Sequence, residues 1–514
     1  MDAAGKEHKL TFKNKIGFSA YQLAQVAEVM INTWQMFYFT TYLGISIITV
    51  TLMFTLGKFI GSIATPIYGY ISDHLYQTRF GRRFGRRKSL LLIGIPVKTI
   101  LYITMWIPHL GTPTYFGLFL LYYALMPMLS LPQLTFMSEM TEDSSQRAQL
   151  AGINQIGAAV AGIFSSLFTV YLFHLFGETH ASTYFIAALI YDAISFVFLV
   201  IFYFSVYERP YDESTVLQEE HEKLSPFKTI VSVFWNFLSA VRLKSYRMYL
   251  GMYLCEQMFR SLVGTINTYF IIFVLLLKPT TVSVSTSVGF VFGIGFLIFF
   301  VWLTSRTNGP FTYRIGSVWT IIVCLAMLWL AYARPEHLAI WFIVLTIALN
   351  FGKTGVVNSA QFIFTFIPDV DEMVTGKRRE GQYSGVNNTL DVLFTTVETV
   401  AIGTLLSSTG FAAKSTVQSA STVHSLLIMY TIVPICFCIL GIIISCFFKL
   451  TVPNHKILLK EVTRLRNGGS MDDVDPETKK VVESLTGFKY EDTWGNNTMM
   501  DYSHKHETIH THTA

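Results

Sequence analysis

Charge is scarce in this chain. Asp, Glu, Lys and Arg make up 14% of its 514 residues, against about 25% in an ordinary soluble domain. With 52% hydrophobic residues and a mean hydropathy of +0.46, that shortage excludes a soluble enzyme built around one large core. Cysteine is scarce too, and all five (Cys255, Cys324, Cys436, Cys438 and Cys446) fall in apolar segments, so no loop disulfide framework is expected. Nothing else of ligand type accompanies Cys436 and Cys438, and no nucleophile–base constellation occurs anywhere, so no metal site and no enzymatic activity are expected. Residues 1–15 are polar and basic, and no small-residue cleavage site follows a short apolar core, so no cleavable leader is expected. A membrane β-barrel is excluded because its strands need only about 9–11 alternating residues, and the apolar runs here are much longer.

Those runs are what the sequence has in plenty, rich in Phe (43 residues). They predict an all-α polytopic membrane protein with twelve helices, near 16–41, 48–73, 89–107, 113–140, 151–178, 183–206, 246–276, 284–305, 313–333, 338–367, 382–408 and 421–449. Each is long enough for about 30 Å of hydrocarbon. The charged longest loop, 207–245, divides the chain. The expected organisation is an N-terminus 1–15, a six-helix bundle 16–206, the central loop, a second six-helix bundle 246–449 and a tail 450–514. The loops FGRRFGRRKS and SRTNGPFTYRIGS, each between the second and third helices of its half, suit a parallel duplication.

Lysine and arginine set the orientation. Lys6, Lys9, Lys13 and Lys15 precede the first span, the loop after the second carries Arg79, Arg82, Arg83, Arg86, Arg87 and Lys88, and Lys377, Arg378 and Arg379 follow the tenth. The opposite loops are nearly bare, so both termini are expected to be cytoplasmic. Because the basic clusters match membrane topology, no nucleic-acid partner is expected. In the tail, Lys456 to Arg466 reads as an amphipathic helix at the membrane surface or against the bundle. Asp475 before Pro476 starts another, and His504, His506, His510 and His512 read as a disordered end rather than a metal-binding one.

Five stretches carry a resemblance that spans nearly the whole chain in order. They are NKIGFSAYQ with FYFTTYLGIS, ATPIYGYISDHLYQTRFGRRFGRRKS, SLPQLTFMSEMTEDSSQRAQLAGINQIG, PDVDEMVTGKRREGQYSGV and GGSMDDVDPETKKVVESLTGFKYEDTW. The sequence resembles the glycoside–pentoside–hexuronide cation symporters, melibiose-carrier-like members of the major facilitator superfamily. The resemblance implies two six-helix bundles rocking about a central site, usually for a sugar coupled to H⁺, Na⁺ or Li⁺. It also implies cytoplasmic gates at Asp73, Arg79, Arg82, Arg83 and Arg86, at Arg147 after the fourth span, and at Asp369, Arg378 and Arg379 after the tenth. Salt bridges between the halves would hold that side shut, with net energies small enough for a near-balanced equilibrium.

The sequence departs from that pattern in the second span, KFIGSIATP. The family base becomes Lys58, while the two cation-binding acids fall at Gly61 and Thr65 and are missing. The family's sugar-ligating positions fall near Gln25, Ser130 and Gln155, all uncharged but able to bond hydroxyls. Intramembrane charge has moved elsewhere, to Glu28, Glu256 with Arg260, Lys353, Asp391 and Glu398, and such groups are candidates for function by default. Lys58 is expected to pair with Glu28 or Asp391, and Glu28, Asp391, Glu398 and Glu256 are the candidates for proton or cation coupling. Candidate solute contacts are Gln25, Trp34 (stacking on a sugar ring), Lys58, Ser130, Gln155, Asn267 and Asn387.

The expected function is secondary transport of a sugar or glycoside, coupled to H⁺ in preference to Na⁺, with no other cofactor. The protein would work as a monomer in the plasma membrane, or the inner membrane of a bacterium. The alternatives are an organic-anion or lysolipid carrier and a non-transporting membrane sensor or scaffold.

Overall fold

The computed structural model describes residues 11–75, 78–141, 144–177, 180–208, 239, 241–376, 380–415 and 417–496. Among them the structure is all helical. The first rod, α1, is broken: Phe12–Ala24 and Val26–Met30 are followed by two five-residue π-turns, Ile31–Gln35 and Tyr38–Tyr42. Next come α2 (Ile47–His74), α3 (Arg86–Trp106), α4 (Thr112–Leu125 continued by Pro127–Glu139), α5 (Ser144–Phe176) and α6 (Ala181–Ser205). The second half holds α7 (Lys244–Tyr269, ending in the π-turn Phe270–Val274), α8 (Pro279–Arg306), α9 (Gly309–Ala333), α10 (Leu338–Phe364), α11 (Glu380–Ser408) and α12 (Ala420–Phe447).

Local signals fix the ends. The hydroxyls of Ser46 and Ser419 accept from the third amide beyond them and start α2 and α12. Pro279 and Pro310 sit in the first turns of α8 and α9, where no amide proton is needed. Three expected boundaries shift. The FGRRFG loop folds into a short helix, Arg79–Phe84. α5 starts at Ser144, seven residues early. The expected tenth span ends at Phe364, and its continuation forms a separate helix, Ile367–Thr375.

Among the described residues, ten helical segments are long and apolar enough to cross a membrane. The rods outside that group are α1, which is interrupted, and α7, which carries Lys244, Arg247, Glu256 and Arg260. Side chains such as Ile100, Phe204, Ile298 and Trp329 project outward more than half exposed, as a lipid-facing surface requires.

Packing shows the duplication directly. In the first half α1 packs on α5 and α6, α2 on α4, and α3 on α4 and α6. In the second half α7 packs on α11 and α12, α8 on α10, and α9 on α10 and α12. Adding six to each label of the first set gives the second, the arrangement of a parallel repeat. The halves meet where α2 packs on α11 and α5 on α8.

The tail docks on the second half. Its helices are α13 (Val452–Arg466) and α14 (Pro476–Thr486), the latter capped by the Asp475 carboxylate. The Ser245 hydroxyl at the start of α7 donates to the Leu485 carbonyl at 2.6 Å. Of the two expected placements of the first tail helix, the structure takes the one against the bundle. The histidine-rich end lies outside the described residues.

Candidate solute cavity

A cavity of about 560 Å³ lies between the halves. The first half contributes Asn32, Thr33, Met36 and Phe37 from the π-turned part of α1, Phe54 and Lys58 from α2, and Tyr123 from α4. The second half contributes Arg260, Ser261, Asn267 and Tyr269 from α7, Ser285, Thr286 and Phe290 from α8, Asn350 and Lys353 from α10, Thr399 from α11 and Tyr430 from α12. The wall thus mixes amides and hydroxyls with aromatic faces. Both α1 and α7 carry π-turns beside it, and such turns inside helices frequently mark functional sites.

One end is closed. The Thr268 hydroxyl donates to the Thr33 carbonyl at 3.0 Å, and the hydroxyls of Thr40 and Tyr269 stand 3.0 Å apart, tying α1 to α7. Gly403 of α11 lies so close to α2 that a Cβ there would sit 2.0 Å from Thr51 Oγ1. In the other direction residues of both α2 and α11 line open space. A second cavity of about 800 Å³ shares Lys58, Arg260 and Ser261 with the first and runs on past Ser62, Thr65, Thr389 and Asp391.

The polar centre is built mainly on α7 and α11. Arg260 Nε binds Glu256 at 2.9 Å, four residues back on the same face. The Arg260 guanidinium also donates to Gln257, whose amide donates to Asp391. The acids that act electrostatically on Lys58 are Glu398 and Asp391. Among the described residues it has no ion pair within 4.0 Å. Glu398 buries both carboxylate oxygens, with the Ser261 hydroxyl and Lys58 as its polar neighbours. Lys353 lines the same cavity, within electrostatic reach of Arg260 and Glu256.

Several expectations change. Glu28 does not meet Lys58, because it accepts the Tyr122 hydroxyl inside the first half. Trp34 lines no part of the main cavity. It is 1% exposed and packs edge-on against Phe37, Phe173 and Tyr184, because its side of α1 faces α5 and α6. Asn387 is wedged between the Tyr246 and Tyr249 hydroxyls at 2.8 and 3.1 Å. Gln25 and Ser130 lie outside both cavity linings. Of the two positions where the family's cation acids fall, a Cβ at Gly61 would stand 3.1 Å from the Tyr123 carbonyl of α4. The Thr65 hydroxyl is taken by the Gly61 carbonyl at 2.8 Å.

Of the candidate gate residues, Arg79, Arg82 and Arg83 are exposed. Arg86 starts α3, where the Glu208 carboxylate accepts the amides of Arg86, Arg87 and Lys88 at 2.9, 2.9 and 2.5 Å. Asp369 bonds to His455 of the tail. The side chains of Asp73, Arg147 and Gln155, and the whole of Arg378 and Arg379, lie outside the described residues.

Sequence reasoning missed a second ionic site. Lys98 of α3 and Asp192 of α6 form an ion pair of 2.9 Å and are 5% and 0% exposed. Each is a lone charge in an apolar span, the same signal that singled out Lys58.

This architecture is that of a polytopic membrane carrier of the major facilitator type rather than an enzyme. The chain belongs to the family described as MFS/sugar transport protein, whose pattern matches residues 17–452. It is 22% identical over 449 residues to the isoprimeverose transporter of Lactiplantibacillus pentosus, covering 84% of this chain and 86% of that one. It is 23% identical over 540 residues to an uncharacterized symporter of Synechocystis, covering 87% and 96%. In fold it is similar to a bacterial homolog of the human lysosomal transporter Spinster, with a TM-score of 0.58 at 11% identity over 89% of this chain and 99% of that one.

Proposed function

We propose that the chain carries a hydroxyl-rich, sugar-like solute across the membrane by alternating access, driven by H⁺. The observation that carries this reading is the lining of the central cavity. Asn32, Asn267, Asn350, Ser285 and Thr286 supply paired donors and acceptors beside the rings of Phe37, Tyr269 and Phe290. Sugars need both kinds of surface, hydrogen bonds around the rim of the ring and an apolar contact on its face. The name of the isoprimeverose transporter adds support for a glycoside. H⁺ is favoured over Na⁺ because neither Gly61 nor Thr65 offers a carboxylate.

The two halves would correspond to bundles 16–206 and 246–449, linked by 207–245 and flanked by 1–15 and 450–514. The basic loops would lie in the cytoplasm, so the opening past Ser62 and Thr389 would face inward. The basic loop residues, with Asp73, Arg147 and Asp369, would form the gate that closes it. The protein would act as a monomer in the plasma or inner membrane.

One observation favours a second reading. Lys353 and Arg260 face the same cavity, while Glu256 is already bound to Arg260. That leaves a cation for a uronate or another organic anion.

Counterflow in proteoliposomes tests both readings. Preloaded vesicles would be offered mono- and disaccharides including isoprimeverose, uronates and lysolipids, with and without Na⁺ and a pH gradient. Exchange of a neutral disaccharide, accelerated by a pH gradient and indifferent to Na⁺, is the expected result. Exchange of uronates alone selects the second reading, and exchange of none of these solutes defeats both.

A further inference from the structure

Inside the first half, one helical turn before the cavity residue Asn32, lies a polar network that the solute cavity does not use. Glu28 sits on Val26–Met30, a five-residue segment between the break at Gln25 and the π-turn Ile31–Gln35. Its carboxylate accepts the Tyr122 hydroxyl of α4, and Tyr21 and Tyr123 are its other phenolic neighbours. Lys98 and Tyr102 of α3 and Asp192 of α6 lie near enough to act on it electrostatically. The Tyr102 hydroxyl donates to the Ala27 carbonyl at 3.1 Å, fixing α3 to the same segment.

Lys98 is committed to α6. Its ammonium lies 2.9 Å from Asp192 Oδ1 and 3.0 Å from the Ser195 hydroxyl, and 4.8 Å from the centre of the Tyr102 ring. Asp192 is 0% exposed, and its second oxygen, Oδ2, is buried without a hydrogen-bond partner. The Thr99 hydroxyl stands beside the Asp192 carboxylate as its neutral polar neighbour.

The charge count is unbalanced. Two carboxylates, Asp192 in contact with Lys98 and Glu28 within its electrostatic reach, have that one ammonium between them. Ionised together they leave one uncompensated negative charge in a low-dielectric interior, where unpaired charge is heavily penalised. A proton on either carboxyl removes it and turns an acceptor into a donor. Metal ions are a poorer match, because no group of three or more acidic, His or Cys side chains occurs among the described residues.

We propose that this carrier holds one exchangeable proton on the Glu28–Asp192 pair, with Lys98 and Tyr122 as its fixed partners, inside the first six-helix unit and outside the solute cavity. The proposal rests on the proton-driven reading above and locates its proton. Because the segment bearing Glu28 is interrupted at Gln25 and runs directly into the π-turn at Ile31, gaining or losing the proton shifts Glu28 against α3, α4 and α6 and moves the π-turn that presents Asn32 and Thr33 to the solute.

The test needs no solute. Infrared difference spectra of the purified full-length protein, stepped from neutral to alkaline buffer, report the carbonyl stretch of a protonated carboxyl. The wild type should show such a band from the pair, and E398Q serves as the background in which the buried cavity carboxyl of Glu398 contributes none. E28Q and D192N should each lose it, because either change balances the remaining carboxylate against Lys98. K98M should keep it, because two carboxylates then remain without a cation. E398Q and D391N, across the cavity, should also keep it. In the E398Q background, a band that survives both E28Q and D192N, or that disappears in K98M, overturns the proposal, as does the absence of any band. Having two separate neutralising variants guards against either one failing to fold. If no solute exchanges in counterflow while the band behaves as expected, the transport reading fails and the proton site stands.

Discussion

The imidazole of His455 lies flat on the Phe366 ring, 4.0 Å between centroids, with its Nε2 2.8 Å from Asp369 Oδ2. This contact joins the tail to the short helix between α10 and α11, in the expected gate. Arg466 binds Glu372 of the same helix, and the amides of Trp494 and Gly495 donate to its Met373 and Val374 carbonyls, each at 2.9 Å. Asp369 and Glu372 therefore each have a partner on the tail. Replacing His455 with Ala should weaken tail docking by about 1–2 kcal/mol. Hydrogen exchange of the amides in Ile367–Thr375 should quicken by about tenfold or more. Unchanged exchange would mean that the helix is held by other contacts.

The tail should also respond to acid. Burial alone would push the Glu461 carboxyl up, but hydrogen bonds from Arg464, at 3.0 and 2.7 Å, and from Tyr490 together outweigh it and hold the group below its usual range. A carboxylate lowered on folding contributes stability that is fully present above its unfolded value. That stability is lost as pH falls through the lower folded value. Protease resistance of α13 and α14 should therefore hold through neutral pH and fall in moderately acidic buffer. E461Q should lower it at neutral pH and flatten the acid limb.

Gly403 sets how closely α2 and α11 approach at the closed end, since a Cβ there would meet Thr51 Oγ1 at 2.0 Å. Gly403→Val should wedge that end and destabilise the conformation seen here. A penalty of about 3 kcal/mol would change the ratio of open to closed forms by roughly a hundredfold. Cysteine labelling at Asn32, silent in a protein closed on that side, should become accessible from it. Wild-type labelling in Gly403→Val would show that the helices part elsewhere.

Asn267 enters the cavity already oriented, because Tyr430 donates to its side-chain oxygen at 2.9 Å and leaves its amide hydrogens for solute. Asn267→Ala should raise the half-saturating solute concentration by roughly tenfold, the loss of about 1.5 kcal/mol of hydrogen bonding. Tyr430→Phe should have a smaller effect in the same direction. Asn387→Ala, at a residue held between two tyrosines away from the cavity, should lower stability and leave apparent affinity unchanged.

Span positions were legible because membrane helices must satisfy their own backbone and be about 20 residues long. The Asp475–Pro476 start of α14 was legible because capping is local. Lys58, Asn267, Arg260 and Lys353 were found from their polarity within apolar runs. Facing was much harder to read. A helix apolar on every side carries little information about its rotation, so nothing in the sequence separated Trp34, turned toward α5 and α6, from Phe37, turned toward the cavity. The Gln25 break and the π-turns after it also shift the phase of α1, so a register counted at 3.6 residues per turn fails there. Lys98 and Asp192 were missed for another reason. They lie 94 positions apart, and only the packing of α3 on α6 makes them a pair.

Trp34 separates packing from recognition. Its ring is 1% exposed, with Phe173 at 5.1 Å and Tyr184 at 5.6 Å between ring centroids. A stacking role in solute binding requires that Trp34→Ala reduce affinity at constant stability. A packing role requires the reverse, a loss of about 3–5 kcal/mol from the cavity left behind, with affinity intact in the folded fraction. The packing outcome is expected. Trp34→Phe should recover most of the stability, since a smaller ring still fills part of the space between α1, α5 and α6. Thermal unfolding of both variants, measured beside their solute affinity, decides between the two roles. A Trp34→Phe protein with wild-type stability and much weakened binding would restore the stacking role.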